Sequence, residues 1–421
     1  MQYIIKAPKK LNADVKLPAS KSIGNRALVI NALAGGLSMP ENLSDCDDTD
    51  VIIKALRDMP YEIDIKAAGT AMRFMTAYLA ATPGEHIITG TERMRHRPIA
   101  VLVDALRSLG AHIEYVGEEG FPPLRIEGRQ LYGRQLDIPG NVSSQYISAL
   151  LMIAPTLKSD LELHLTGEIF SRPYIDLTLW MMKEYGAVAD WQDIDTILVK
   201  AQPYTLRPYY IENDWSASSY WYEMMALSGG EDDEVVLEGL IDGSKQGDSM
   251  ARYIFSLLGV KTTFVPSSKP GMQCVRLRNK GCCVPRLEYD FVNAPDLAQT
   301  FVVTCLALNV PFVFTGLKTL KIKETDRIEA LKTEALKTEA RKLGYVLHDV
   351  DDSQLIWDGE RCQPQPDAAI DTYEDHRMAL AFAPLAFVMP ELRINNPHVV
   401  TKSYPHYWAD LRNAGFTITE V

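Results

Sequence analysis

The stretch Ser20–Gly36 reads SKSIGNRALVINALAGG. Ser20 is a residue type that caps helices, the apolar residues after it recur at helical spacing, and Gly35-Gly36 ends the run. The same grammar returns along the chain. Gly69-Thr70 opens a run closed by Pro83-Gly84, and further runs open at Arg97, Ser143, Ser171 and Asp214. Helix starts are expected at roughly residues 20, 48, 70, 97, 143, 171, 215, 246, 296, 324, 375 and 403. They fall into six pairs, about 27–31 residues apart within a pair and roughly 50–80 from one pair to the next. Short alternating runs lie between them and suit strands: Leu161–Leu165 (LELHL), Val235–Leu237, Cys274–Leu277 and Gly110–Val116.

This predicts an α/β chain built from an internal repeat of about 75 residues, with two helices and several strands per unit. Six units suggest two domains of three units each. The first interval is short by about 25 residues, so the first unit is expected to lack a strand pair. A second irregularity is ALKTE, which occurs at Ala330–Glu334 and again at Ala335–Glu339. Five extra residues rotate a helix by about 1.4 turns. A local duplication of this kind is expected on a mostly exposed helix.

The 421 residues carry 43 Lys+Arg against 55 Asp+Glu, a net charge of −12. Such a field repels nucleic acid and anionic membranes, so neither is an expected partner. Hydrophobic residues at 47% and charged residues at 23% are ordinary globular values and exclude a disordered or fibrous chain. The six cysteines form no CxxC pair, and the adjacent Cys282-Cys283 is a poor zinc spacing. They read as reduced thiols in a cytoplasmic protein. MQYIIKAPKK is not a signal peptide, and Met378–Pro390 is too short to span a membrane.

Cations recur at or near the helix starts: Lys21, Arg26, Arg73, Arg97, Lys323, Arg327, Arg377 and Lys402. The helix macrodipole normally repels cations from that end, so their placement there makes sense when an anion binds among them. Hydroxyls, an amide and a bare glycine accompany them, in Ser20-Lys21-Ser22, Gly69-Thr70, Ser143-Ser144-Gln145 and Ser171. Ser or Thr at a helix start is often only a cap. Gly69 lets a backbone N–H approach a ligand closely. Asp296 and Glu324 lie among the cations, stay ionised there, and suit proton transfer or stabilisation of a developing positive charge. Asp296 also suits a plain helix cap. His376 precedes Arg377. No Walker A loop or His-rich metal spacing occurs, so neither ATP chemistry, a metal nor another cofactor is expected.

Several of these segments together resemble the signatures of the 5-enolpyruvylshikimate-3-phosphate (EPSP) synthase family within the enolpyruvyl transferases. They are Leu17–Leu28 (LPASKSIGNRAL), Ala68–Arg73 (AGTAMR), Arg97-Pro98, Val142–Gln145 (VSSQ) and Ser171–Asp176 (SRPYID). The C-terminal half adds Pro295-Asp296, Ile322–Arg327 (IKETDR), Asp375–Met378 (DHRM) and Thr401-Lys402. The resemblance is collinear over nearly the whole chain.

It implies an enolpyruvyl transferase fold of six βαβαββ units, three per domain. One domain would span 17–212, inserted into a second made of 1–16 plus 213–421. It also implies the reaction. The enolpyruvyl group of phosphoenolpyruvate passes to the 5-hydroxyl of shikimate 3-phosphate, releasing phosphate, in the route to chorismate and aromatic amino acids. A monomer acting on these two small polyanions, without a cofactor, is expected. By position, Ser22, Arg26, Ser143, Ser144, Ser171 and Lys323 resemble the shikimate 3-phosphate contacts. Gly69, Arg97, Arg327, Arg377 and Lys402 resemble the phosphoenolpyruvate contacts, and Lys21 and Gln145 touch both. Asp296 resembles the residue that takes the 5-hydroxyl proton while touching shikimate 3-phosphate, and Glu324 with Lys21 resembles the pair that moves a proton at C3. Gly69, where insensitive relatives often carry Ala, implies that glyphosate competes with phosphoenolpyruvate.

Two positions depart from the family pattern. Ala67 and Thr319 stand where Asn is common. Two rival readings fit the sequence less well. The related UDP-N-acetylglucosamine enolpyruvyl transferases carry Lys-Asn where this chain has Lys21-Ser22, and a reactive Cys near the Arg97 region, whereas no Cys lies between Cys46 and Cys274. A non-catalytic anion binder on the same fold is disfavoured by Asp296, Glu324 and Lys21.

Overall fold

The computed structural model describes all residues except 37–38, 268–272, 282–283, 318–329 and 352, and the side chains of 330–332. Lys323, Glu324, Arg327, Thr319, Cys282 and Cys283 therefore lie outside the described residues. Among those described, Met1–Pro18 and the residues from Glu212 to Val421 form one compact unit, and Ala19–Ile211 form the other.

Among the described residues, five four-stranded sheets repeat one order. In each, a parallel pair is followed by two antiparallel pairings. Glu62–Asp64 runs parallel to Gly84–Thr89, which pairs antiparallel with Leu124–Gly128, and that strand with His112–Tyr115. Gln135–Pro139, Leu161–Thr166, Thr196–Val199 and Ala189–Trp191 repeat the scheme. Alternation decides which face is buried: Leu161, Leu163 and Leu165 point into the core while Glu162 and His164 do not. Helices cross over the parallel pairs, which is why each unit reads as strand, helix, strand, helix, then hairpin.

The first 16 residues supply strands to two sheets of their own unit, whose remaining residues follow Glu212. Gln2–Lys6 lies between Leu392–Asn395 and Thr417–Glu420, and Asn12–Lys16 runs parallel to Glu234–Glu238. This backbone pairing ties the N-terminus to residues more than two hundred positions away.

The first unit is reduced further than the helix spacing indicates. Helices Lys21–Leu33 and Asp47–Asp58 are present, but among the described residues they are accompanied only by the parallel bridge Glu41–Tyr210. Among the described residues the antiparallel pair is missing, and most of the parallel pair as well.

One helix is sunk in the core of each unit. Ser144–Ile153 and Trp215–Ser228 are buried on nearly every side. The helix Ala330–Lys342 corrects the expectation of an exposed duplication: Thr333, Ala335, Leu336, Glu339 and Ala340 are buried. The second ALKTE copy therefore faces the core. Its Glu339 is tolerated because Lys342 Nζ lies 2.8 Å from Oε2 and Tyr373 donates to Oε1 at 2.6 Å.

Candidate active site

In the unit Ala19–Ile211, four helix N-termini carry the expected residues. Ser20 caps the helix Lys21–Leu33, its hydroxyl accepting from Ile23 N. Lys21 Nζ donates to the buried Asp48 Oδ2 at 3.1 Å. One turn further, Arg26 is almost wholly enclosed. Its Nε donates to Thr178 Oγ1 at 2.7 Å, and one terminal nitrogen donates to Ser148 Oγ and Tyr174 O. The other donates to Ser22 O at 2.8 Å, and Phe74 lies under the guanidinium at 5.3 Å. Burial pulls the proton affinity of Arg26 down to about 10, so it remains a cation at neutral pH. Arg26 thus ties together the helices Lys21–Leu33, Ser144–Ile153, Arg172–Glu184 and Gly69–Ala81. Thr178 and Ser148, which hold it, carry no sequence signal beyond hydroxyls inside otherwise apolar helices.

Gly69 opens the helix Gly69–Ala81, and Ala68 at its cap position provides no side-chain acceptor. Its first N–H groups therefore favour an anion. A Cβ on Gly69 would lie 2.5 Å from Arg97 and 2.6 Å from Arg73, at their terminal guanidinium nitrogens. Both arginines are buried. Arg73 donates to Gly69 O at 2.9 Å, and its Nε has no hydrogen-bond partner among the described residues. Gln145 Nε2 donates to Thr70 Oγ1 at 3.0 Å, joining the second helix start to the third. Ser143 caps through its hydroxyl, and buried Ser144 begins the helix itself. Ser171 differs: it sits in the left-handed region at φ 53°, buried, and its hydroxyl makes no cap bond. A strained, uncapped, buried serine is better suited to holding a ligand than to starting a helix.

In the other unit, Asp296 lies in the turn Pro295–Leu297 and Arg377 in the helix His376–Phe382. Arg377 holds Asp296 twice, with a terminal nitrogen 2.5 Å from Oδ2 and Nε donating to the backbone carbonyl at 3.3 Å. Its other terminal nitrogen lies 2.8 Å from His376 Nε2. A guanidinium only donates, so that ring nitrogen accepts and the proton of the neutral imidazole sits on Nδ1, facing Asp375 Oδ1 at 3.5 Å. Asp375 caps the helix through Arg377 N and accepts from Gln299 Nε2. His376 is thereby an orienting partner of Arg377. Half-buried Lys402 ends the turn Pro397–Lys402, which packs against the helix His376–Phe382.

Asp214, expected to open a helix, caps Trp215–Ser228 and accepts from Ser216 N at 2.7 Å. One further acid escaped sequence reasoning: Asp248 is buried and accepts from Ser216 Oγ. Burial, and then the charge of Asp296, push the Asp248 carboxyl up to about 7. No motif marks Asp248; only its burial distinguishes it from the surface acids.

Among the described residues, no cluster of His, Cys, Asp and Glu could hold a metal ion, and no helix is long and apolar enough to cross a membrane.

The chain matches the family model described as EPSP synthase (3-phosphoshikimate 1-carboxyvinyltransferase) over residues 5–64 and 59–411. It is 60% identical to a Bacteroides fragilis protein named 3-phosphoshikimate 1-carboxyvinyltransferase, with 99% of each chain covered. A protein of that name from a Marinomonas species is 34% identical, over 95% of this chain and 96% of the relative. The solved EPSP synthase of Acinetobacter baumannii shares the fold at a TM-score of 0.78 and 20% identity, covering the whole of both chains. The collinear motifs, the repeated sheets and these matches converge on one conclusion: the chain belongs to the EPSP synthase family.

Proposed function

We infer that the protein transfers the enolpyruvyl group of phosphoenolpyruvate to the 5-hydroxyl of shikimate 3-phosphate and releases inorganic phosphate. It is a 3-phosphoshikimate 1-carboxyvinyltransferase of the shikimate pathway to aromatic amino acids. The observation that carries this reading is the 60% identity, over 99% of each chain, to a relative of that name. The buried cations and uncapped helix start support it, because both substrates are small polyanions.

In the proposed mechanism, Asp296 takes the 5-hydroxyl proton while the oxygen adds to C2 of phosphoenolpyruvate. The grip of Arg377 on Asp296 keeps that carboxylate ionised and aimed. C3 gains a proton, and the tetrahedral adduct then loses phosphate and a C3 proton to restore the vinyl group. Lys21, held by Asp48, and Glu324 handle the C3 proton. Arg97, Arg377, Arg327, Lys402, Gln145, Lys21 and the Gly69 backbone hold phosphoenolpyruvate. Ser22, Ser143, Ser144, Gln145, Ser171, Lys21, Lys323 and Asp296 contact shikimate 3-phosphate. Most of the Arg26 donors are already used within the protein, so Arg26 acts chiefly through its charge and by aligning the helix starts.

The test is product identity. With both substrates present, 31P NMR should show phosphoenolpyruvate replaced by inorganic phosphate, and 1H NMR should show vinyl protons on a new phosphorylated compound. Unchanged phosphoenolpyruvate would contradict the reading.

A further inference from the structure

Arg73 and Arg97 bring two terminal guanidinium nitrogens to one point above Gly69, no more than about 5 Å apart. Like charges at that separation repel, so some feature of the protein must hold them side by side. Tyr146 touches Arg73 and the backbone next to Arg97. Its ring lies 5.6 Å beneath the Arg73 guanidinium, a cation–π arrangement. Its hydroxyl donates to Pro98 O at 2.5 Å, which fixes the backbone immediately after Arg97. Tyr146 is buried, and it follows Gln145, whose amide donates to Thr70 beside Gly69. On the other side, Gly69 O receives Arg73 at 2.9 Å. Arg73 is therefore clamped between the Gly69 carbonyl and the phenol ring, and the same phenol anchors the backbone that carries Arg97.

We propose that Tyr146 is a positioning residue that holds Arg73 and Arg97 together over Gly69 and so sets the affinity for the anionic end of phosphoenolpyruvate. The proposal rests on the reading of Gly69 and Arg97 as phosphoenolpyruvate contacts. It adds Arg73 as the second arm of that subsite and gives the phenol hydroxyl a task that Phe at the same place does not perform. Tyr146 does not touch the reacting atoms in this account. Its influence falls on binding of one substrate and leaves the chemical step alone, because preorganising the two cations lowers the cost of seating the anion.

Steady-state kinetics of Tyr146→Phe, Tyr146→Leu and Arg97→Gln test this, with thermal unfolding measured on each. Tyr146→Phe keeps the ring and removes one hydrogen bond. Its KM for phosphoenolpyruvate should rise about 2- to 10-fold, with KM for shikimate 3-phosphate unchanged and kcat within about twofold. Tyr146→Leu also removes the ring under Arg73 and should raise the same KM further. Arg97→Gln tests the underlying reading independently and should raise KM for phosphoenolpyruvate more than Tyr146→Phe does. If Arg97→Gln raises that KM while Tyr146→Phe leaves it at the wild-type value, the Tyr146 proposal is overturned and the subsite reading stands. If Arg97→Gln leaves it unchanged, the subsite reading fails and the proposal with it. An equal rise in both KM values for Tyr146→Phe, with a lowered Tm, would make Tyr146 a core residue only and overturn the proposal.

Discussion

Arg377 grips Asp296 at two places, the side-chain Oδ2 at 2.5 Å and the backbone carbonyl at 3.3 Å. One contact sets the charge of the carboxylate and the other sets its position. Removing the guanidinium leaves Asp296 within the field of Asp248 without its described counter-ion. Arg377→Gln should lower kcat by about 10- to 100-fold and move the acid limb of the kcat profile to higher pH, because a carboxylate that loses a neighbouring cation binds its proton more tightly. A pH–rate series with the wild-type limb retained would break this link.

Asp296→Ala removes the proposed proton acceptor itself. Turnover should fall by at least about a thousandfold while shikimate 3-phosphate still binds, measured by calorimetry. A variant retaining more than roughly a tenth of wild-type kcat, a barrier change below about 1.4 kcal/mol, would remove Asp296 from that role.

Asp248 makes stability fall with rising pH. Its carboxyl is pushed from the ordinary 3.8 to about 7, so between those values the folded state holds a proton that the unfolded state has released. Folding is then penalised progressively as pH climbs through this window. Asp248→Asn removes the penalty, and should be more stable than wild type at pH 8 by up to about 4 kcal/mol, with no gain at pH 3 to 4. Urea midpoints at the two pH values give the comparison; an equal shift at both would point to packing.

Glu339→Ala should be strongly destabilising, by about 3–5 kcal/mol in urea, because Lys342 and the Tyr373 hydroxyl lose a buried acceptor. A change under about 1 kcal/mol would mean the second ALKTE copy is loosely packed.

Gly69→Ala places a methyl against the terminal guanidinium groups of Arg73 and Arg97. These are the far ends of flexible side chains, so the helix should survive and the arginines should shift. The inhibition constant for glyphosate, slightly longer than phosphoenolpyruvate, should rise more than the KM for phosphoenolpyruvate. Equal changes in both would show that the added methyl does not discriminate by length.

The repeat and the helix starts were legible because their signals are local. Ser20, Gly69, Ser143 and Ser171 each stand at the residue where a helix begins or one before it. The reduction of the first unit was legible as a short interval, but not its extent, since a lost strand leaves no residue to read. What stayed hidden depends on distant partners. Arg26 meets Thr178 across 152 positions and Ser148 across 122, separations at which no periodicity speaks. Asp248 looks like any surface acid until the helix Trp215–Ser228 is seen to bury it beside Ser216. Glu339 looks solvated because Lys and Glu alternate around it, while the half-buried Lys342 one helical turn away neutralises it.

The most direct measurement is phosphate release from phosphoenolpyruvate by the purified protein, with shikimate 3-phosphate, with UDP-N-acetylglucosamine, or with no acceptor. The account predicts catalytic release with shikimate 3-phosphate alone. Absence of release with it, or release with UDP-N-acetylglucosamine in its place, would contradict the account.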